Sequence, residues 1–212
     1  STIGLKHEHE IAPGLTGFLK IELDGVDADD KAKGRGRIKL DEAYIGVKGD
    51  FGKTWIGSDD SMYEDSVDKI SNYWEFGDGL LSAMGYSNGW GDLVQYVTPS
   101  MGGFSVGAAV QINGNDEKGQ NSLPYQLALS YELDALTVAF AMDSNDSNLA
   151  YSSNVPGTSI NNENTYGLRA TYNMGDFSVT GEYHTRDKDS DSYGLMGNYT
   201  MGANTFALAY VM

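Results

Sequence analysis

The chain has 212 residues and a formal net charge of −16, from 14 Lys plus Arg against 30 Asp plus Glu, and it contains no cysteine. That balance excludes a surface built for nucleic-acid phosphates or for docking on anionic lipid. The absence of cysteine excludes a disulfide framework, a thiolate metal site and a cysteine nucleophile.

Period-two segments recur from end to end. STIGLKHEHE (1–10) turns at IAPG into LTGFLKIEL (15–23), and a polar stretch (24–37) leads to KLDEAYIGVKG (39–49) and KTWIGS (53–58). An acidic segment follows, from Asp59 to about residue 91, in which the apolar spacing of Ser66–Phe76 predicts a short helix. Further strands are predicted at 92–98, 104–112, 125–133, 136–143, 165–173, 177–185, 192–200 and 205–212. The total is about twelve.

No apolar run approaches the roughly 18 residues that a membrane helix needs. The N-terminal STIGLKHEHE lacks the basic and apolar regions of a signal peptide. Neither test sees a transmembrane barrel, whose strands alternate apolar and polar residues. The alternation here is clean. Tyr125, Leu127, Leu129, Tyr131 and Leu133 share one face, and Gln126, Ala128, Ser130 and Glu132 share the other. A soluble sandwich would alternate too.

The connections discriminate. Short links (IAPG, GDFG, PSMGG, LDA, MGDF, MGAN) alternate strictly with long ones near 24–38, 59–91, 113–124, 144–164 and 186–191. This puts the tight turns at one end and the long loops at the other, as in outer-membrane barrels, whereas a Greek-key sandwich mixes them. The expected fold is therefore an all-β, antiparallel transmembrane barrel forming one domain over 1–212.

At AYIGVKGDFGKTWIGSDD (43–60) the sequence resembles the Gram-negative general porins. STIGLKHEHEIAPGLTGFLKIEL (1–23) and DLVQYVTPSMGGFSVGAAVQ (92–111) resemble that family's hairpins on either side, in the same order. The resemblance implies a barrel of about sixteen strands, assembled as trimers, whose first and last strands lie outside this chain. A closed twelve-stranded barrel is the alternative. It also implies that the loop at about 59–91 folds inward as a constriction.

The acidic residues of that loop are Asp59, Asp60, Glu64, Asp65, Asp68, Glu75 and Asp78, with Lys69 as its basic residue. Charges fixed in a narrow wet passage decide which ions enter. By resemblance, arginines are expected opposite the loop, but those positions hold Asp41, Ser58 and Gln95. Lys20, Glu22, Arg169 and Glu182 complete the expected pore wall. The expectation is a cation-preferring channel for small hydrophilic solutes, with an adhesin or structural surface barrel as the alternative. Its partners would be outer-membrane lipid, lipopolysaccharide and copies of itself in a homotrimer, with no nucleic acid.

No nucleophile–base motif such as G-x-S-x-G occurs, so the chain reads as non-enzymatic. No cofactor is expected. DGVDADDK (24–31) offers oxygen ligands for Ca²⁺ without the EF-hand spacing. His7, His9 and His184 read as surface histidines rather than a metal site.

Overall fold

The computed structural model describes residues 2–25, 38–71, 73, 91–112, 114–115, 121–146, 163–186 and 191–212. The predicted DGVDADDK calcium ligands past Gly25, together with Glu75 and Asp78, lie outside these residues.

Alternating sequence becomes alternating exposure. The chain begins with β1 (Ile3–Ala12), β2 (Leu15–Asp24), β3 (Lys39–Gly49) and β4 (Gly52–Ser58), followed by a short helix α1 (Met62–Val67). Then come β5 (Leu93–Val97), β6 (Phe104–Gln111) and the two-residue strands β7 (Gly114–Asn115) and β8 (Asn121–Ser122). The remainder is β9 (Tyr125–Leu133), β10 (Leu136–Asp143), β11 (Thr165–Met174), β12 (Phe177–Arg186), β13 (Asp191–Met201) and β14 (Asn204–Val211). Twelve of these strands form one antiparallel meander in the order β1-β2-β3-β4-β5-β6-β9-β10-β11-β12-β13-β14. Each predicted strand is present to within about two residues. The β7–β8 pair is additional; it sits inside a long link and forms its own two-stranded sheet.

Register follows from the tight turns, and it sorts the two faces. Leu136 pairs with Leu133, Phe140 with Leu129 and Met142 with Leu127. Directly opposed residues share a face, so the aliphatic residues of successive strands merge into one surface. That surface is bare: Leu129 is 44 % exposed, Leu168 47 % and Leu208 81 %. Aromatic pairs flank it. Phe104–Tyr131 and Phe177–Tyr199 stack beside the short turns, with ring centroids 4.2 and 4.3 Å apart. Phe140–Tyr166 and Tyr183–Tyr193 pair toward the long-loop end. An aliphatic band bounded by aromatic rows is the lipid-facing pattern of a membrane barrel.

The opposite face is polar and largely buried. Gln126, Asp143 and Thr165 are fully covered, and Gln95, Thr180, Glu182, His184 and Ser192 nearly so. What covers part of it is the helix. The hydrophobic cluster comprises Met62, Tyr63 and Val67 from α1 with Phe18, Trp55, Ala109, Ala128, Ala139 and Ala141 from the strands. The packed core among the described residues is thus loop against wall.

Candidate functional site

The site is organised by how residues 59–71 cross the polar face. In sequence order they meet the strands in sheet order. Asp59 Oδ2 accepts from Trp55 Nε1 of β4 at 2.6 Å, and Gln95 Nε2 of β5 lies 3.4 Å from Asp59 Oδ2 and 3.3 Å from Asp60 O. The Tyr63 amide donates to Gln126 Oε1 of β9 at 3.1 Å, and Gln126 in turn donates to Asp143 at 2.6 Å. Arg169 Nε of β11 donates to Ser66 O at 2.8 Å. Glu182 Oε1 of β12 accepts from the amides of Lys69 at 2.8 Å and Ile70 at 3.1 Å.

Glycines on the wall make room for this crossing. A Cβ on Gly107 would stand 2.5 Å from Met62 Sδ, one on Gly167 2.5 Å from Val67 Cγ2, and one on Gly194 2.9 Å from Ile70 Cδ1. The loop's apolar side chains therefore seat where the strands carry none.

The helix itself begins four residues before the predicted start at Ser66. Ser61 is the N-cap: its Oγ accepts from the Glu64 amide at 3.1 Å, in the S-x-x-E arrangement of a capping box. Glu64 and Asp65 occupy the first turn, where the helix dipole favours acid. The apolar spacing of Ser66–Phe76 pointed past this signal.

Of the predicted wall residues, Lys20 and Glu22 pair on the polar face, and Gln95, Arg169 and Glu182 bond the loop there. At Asp41 β3 carries a bulge: Glu22 pairs with Glu42 and Leu23 with Leu40, leaving Asp41 unpaired in the ladder and exposed. The neighbouring Glu42 contacts Lys20 Nζ, which also reaches Glu22 at 3.0 Å. Ser58 pairs with Ala43, two places from the Ile45–Ile56 pair, so the register puts it on the side of exposed Ile56 rather than of Trp55.

A missed residue matters more. Lys53 sits two places before Trp55 on the same face, its ammonium 4.0 Å from the Trp55 ring centroid, 5.0 Å from that of Phe18 and 5.7 Å from that of Tyr44. Three aromatic faces hold a cation well out of bulk water. The alternation of KTWIGS already places Lys53 beside Trp55 on one face.

These groups enclose a cleft of about 490 Å³, lined by Lys20 and Lys53 on the strands and by Glu42, Asp59, Asp60 and Asp65. The cleft therefore carries a basic side and an acidic side, with carboxylates in excess. Burial pushes the Asp59 carboxyl up to about 6, with Glu42 and Asp65 adding to the shift against the Trp55 hydrogen bond. Asp60 is likewise pushed up to about 6, by burial and then by Glu64 and Asp65. Because the docked state holds these protons more tightly than the ordinary value of 3.8, docking is favoured at low pH and weakens as pH rises through about 6.

At the far end of the crossing, Asp68 lies beside Glu182 and His184, all three buried. His184 was expected at the surface. Instead its Nδ1 is 2.7 Å from Tyr63 Oη and its Nε2 3.5 Å from Glu182 Oε2. His7 and His9 do share one exposed face, with ring centroids 6.4 Å apart.

Comparison with known proteins gives the fold a context. A sequence-family model described as Gram-negative porin matches residues 1–212. A monosaccharide porin of a Halomonas species is 31% identical over 218 residues, covering 96% of this chain and 58% of that protein. The major outer membrane protein of Halomonas elongata aligns to the same extent, 31% identical over 96% of this chain and 58% of that protein. The chain thus spans somewhat more than half the length of these relatives. Among solved structures, an anion-selective porin from Comamonas acidovorans superposes with a TM-score of 0.66 at 20% identity, over 99% of this chain and 67% of that one. That last likeness is one of fold.

Proposed function

The chain belongs to the Gram-negative porin family, whose model spans all of it, and on that premise we propose that it forms the wall and constriction of a water-filled channel for passive diffusion of small hydrophilic solutes. It is an outer-membrane β-barrel protein and not an enzyme. The observation that carries the reading is the path of residues 59–71. A loop pinned strand by strand across the polar face narrows whatever passage that face lines. A surface adhesin would have no use for a loop docked inward.

The channel prefers cations. Lys20 is shared by Glu22 and Glu42, which leaves Lys53 facing Asp59, Asp60 and Asp65. A surplus of fixed carboxylate between low-dielectric walls concentrates counter-cations. The porin from Comamonas acidovorans is anion-selective, so selectivity here rests on this chain's own charges and not on its fold. Outer-membrane lipid, lipopolysaccharide and two further copies in a homotrimer are the partners proposed with this function.

Planar-bilayer recording tests the reading: discrete ohmic openings are expected, and silence in a folded, inserted protein would favour the adhesin. The pH dependence adds a sharper test. Asp59 and Asp60 are ionised above about 6 and neutral below it. Cation preference should therefore fall as pH is lowered through about 6. A selectivity that does not change across that range would remove these two carboxyls from the account.

A further inference from the structure

We propose that Asp68, Glu182 and His184 form a binding site for a divalent transition-metal cation that fastens the loop to strand β12. The three donors come from two elements that have no other covalent tie near this point. Each is more than nine-tenths buried, and one ligand atom from each lies within 4.8 Å of the others. Metal–ligand bonds of about 2.0–2.2 Å put neighbouring donors about 3.4 Å apart in a tetrahedral shell. His184 Nε2 and Glu182 Oε2 already stand at 3.5 Å, so a small inward movement of the Asp68 carboxylate closes the set.

Each donor is also aimed from behind. Tyr63 Oη holds His184 Nδ1, which leaves Nε2 turned toward the carboxylates. The Lys69 amide donates to Glu182 Oε1, and the Ile70 amide is shared between Oε1 at 3.1 Å and Oε2 at 3.3 Å, which fixes the carboxylate with Oε2 on the His184 side. Ser71 Oγ bonds Asp68 Oδ1. Outer partners that fix ring and carboxylate orientation are the usual support of a metal site. One imidazole with two carboxylates suits a borderline divalent ion such as Zn²⁺, with solvent completing its coordination. The alternative occupant of the same gap is a proton, making an imidazolium–carboxylate pair.

Zinc titration of the full chain, folded in detergent and freed of metal with chelator, separates the two. The readout is metal uptake itself and does not depend on whether the channel conducts. Calorimetry is expected to give one Zn²⁺ per chain, and Co²⁺ substitution a visible d–d band. Asp68→Asn and His184→Gln should each weaken binding by at least about tenfold, and Tyr63→Phe by about tenfold through lost orientation. His7→Gln with His9→Gln should leave it unchanged. Asp68 is on the loop, so Asp68→Asn remains informative if His184→Gln fails to fold. No uptake at millimolar Zn²⁺, unchanged affinity in Asp68→Asn, or binding that disappears with His7 and His9 would each overturn the site.

Discussion

Replacing Gly167 with leucine is expected to undock the loop and raise single-channel conductance. Gly167 is buried on β11, and its Cβ position lies 2.5 Å from Val67 Cγ2 and 2.7 Å from Tyr63 Oη. Those two side chains centre the buried cluster and are themselves fully covered. The Tyr63 ring cannot yield without leaving its His184 hydrogen bond behind. Overpacking of this kind costs about 1–3 kcal/mol, roughly a 5- to 150-fold shift toward the undocked state. Gly197 on β13 has nothing within 4 Å of its Cβ position, so Gly197→Ala serves as the control for a glycine lost from a strand. Conductance and protease resistance of residues 59–71 are the measurements. If Gly167→Leu leaves both at the control level, the helix does not hold the passage narrow.

Leu129→Lys should impair membrane assembly more than any substitution at the strand ends. Leu129 lies midway along β9, exposed on the apolar face opposite Phe140 and Val106. A lysine at the bilayer midplane of a barrel costs about 2–4 kcal/mol, falling to about 0–1 near the interface. Leu133, on the same face beside the Asp134–Ala135 turn and 50 % exposed, supplies the shallow comparison. Folding into lipid vesicles, followed by denaturant titration, should show the large cost at 129 and the small one at 133. Equal costs would mean that something other than lipid covers this face.

The strands were legible because their information is local. In TYGLRATYN and TFALAYVM every second residue declares its face, and the short links fix register without help from distant residues. The loop was legible in charge but not in placement. Its helix starts at a capping box, Ser61 to Glu64, whereas of the stretch Ser66–Phe76 that apolar periodicity suggested, residues 69–71 form a turn and residues 72 and 74–76 lie outside the described residues.

The wall was harder to read. A bulge shifts alternation by one residue, and nothing in KLDEAYIG marks that Asp41 is the extra residue and that Glu42 meets Lys20. The roles of Gly107, Gly167 and Gly194 exist only once Met62, Val67 and Ile70 arrive from elsewhere in the chain. Long-range pairing also explains His184, which sequence spacing separates from Asp68 and Tyr63. Lys53 is a different case, since the strand period already set it beside Trp55. Its aromatic enclosure, with Phe18 and Tyr44 from two other strands, is what holds it as a cation in the cleft with Asp59, Asp60 and Asp65.

The balance between that cation and Asp59, Asp60 and Asp65 is the centre of the account, and the reversal potential of the channel across a KCl gradient at neutral pH reads it directly. With both Asp59 and Asp60 ionised, the potential should carry the sign of K⁺ moving in preference to Cl⁻. A potential of the opposite sign would show that Lys53 and Lys20 dominate the passage, and would contradict it.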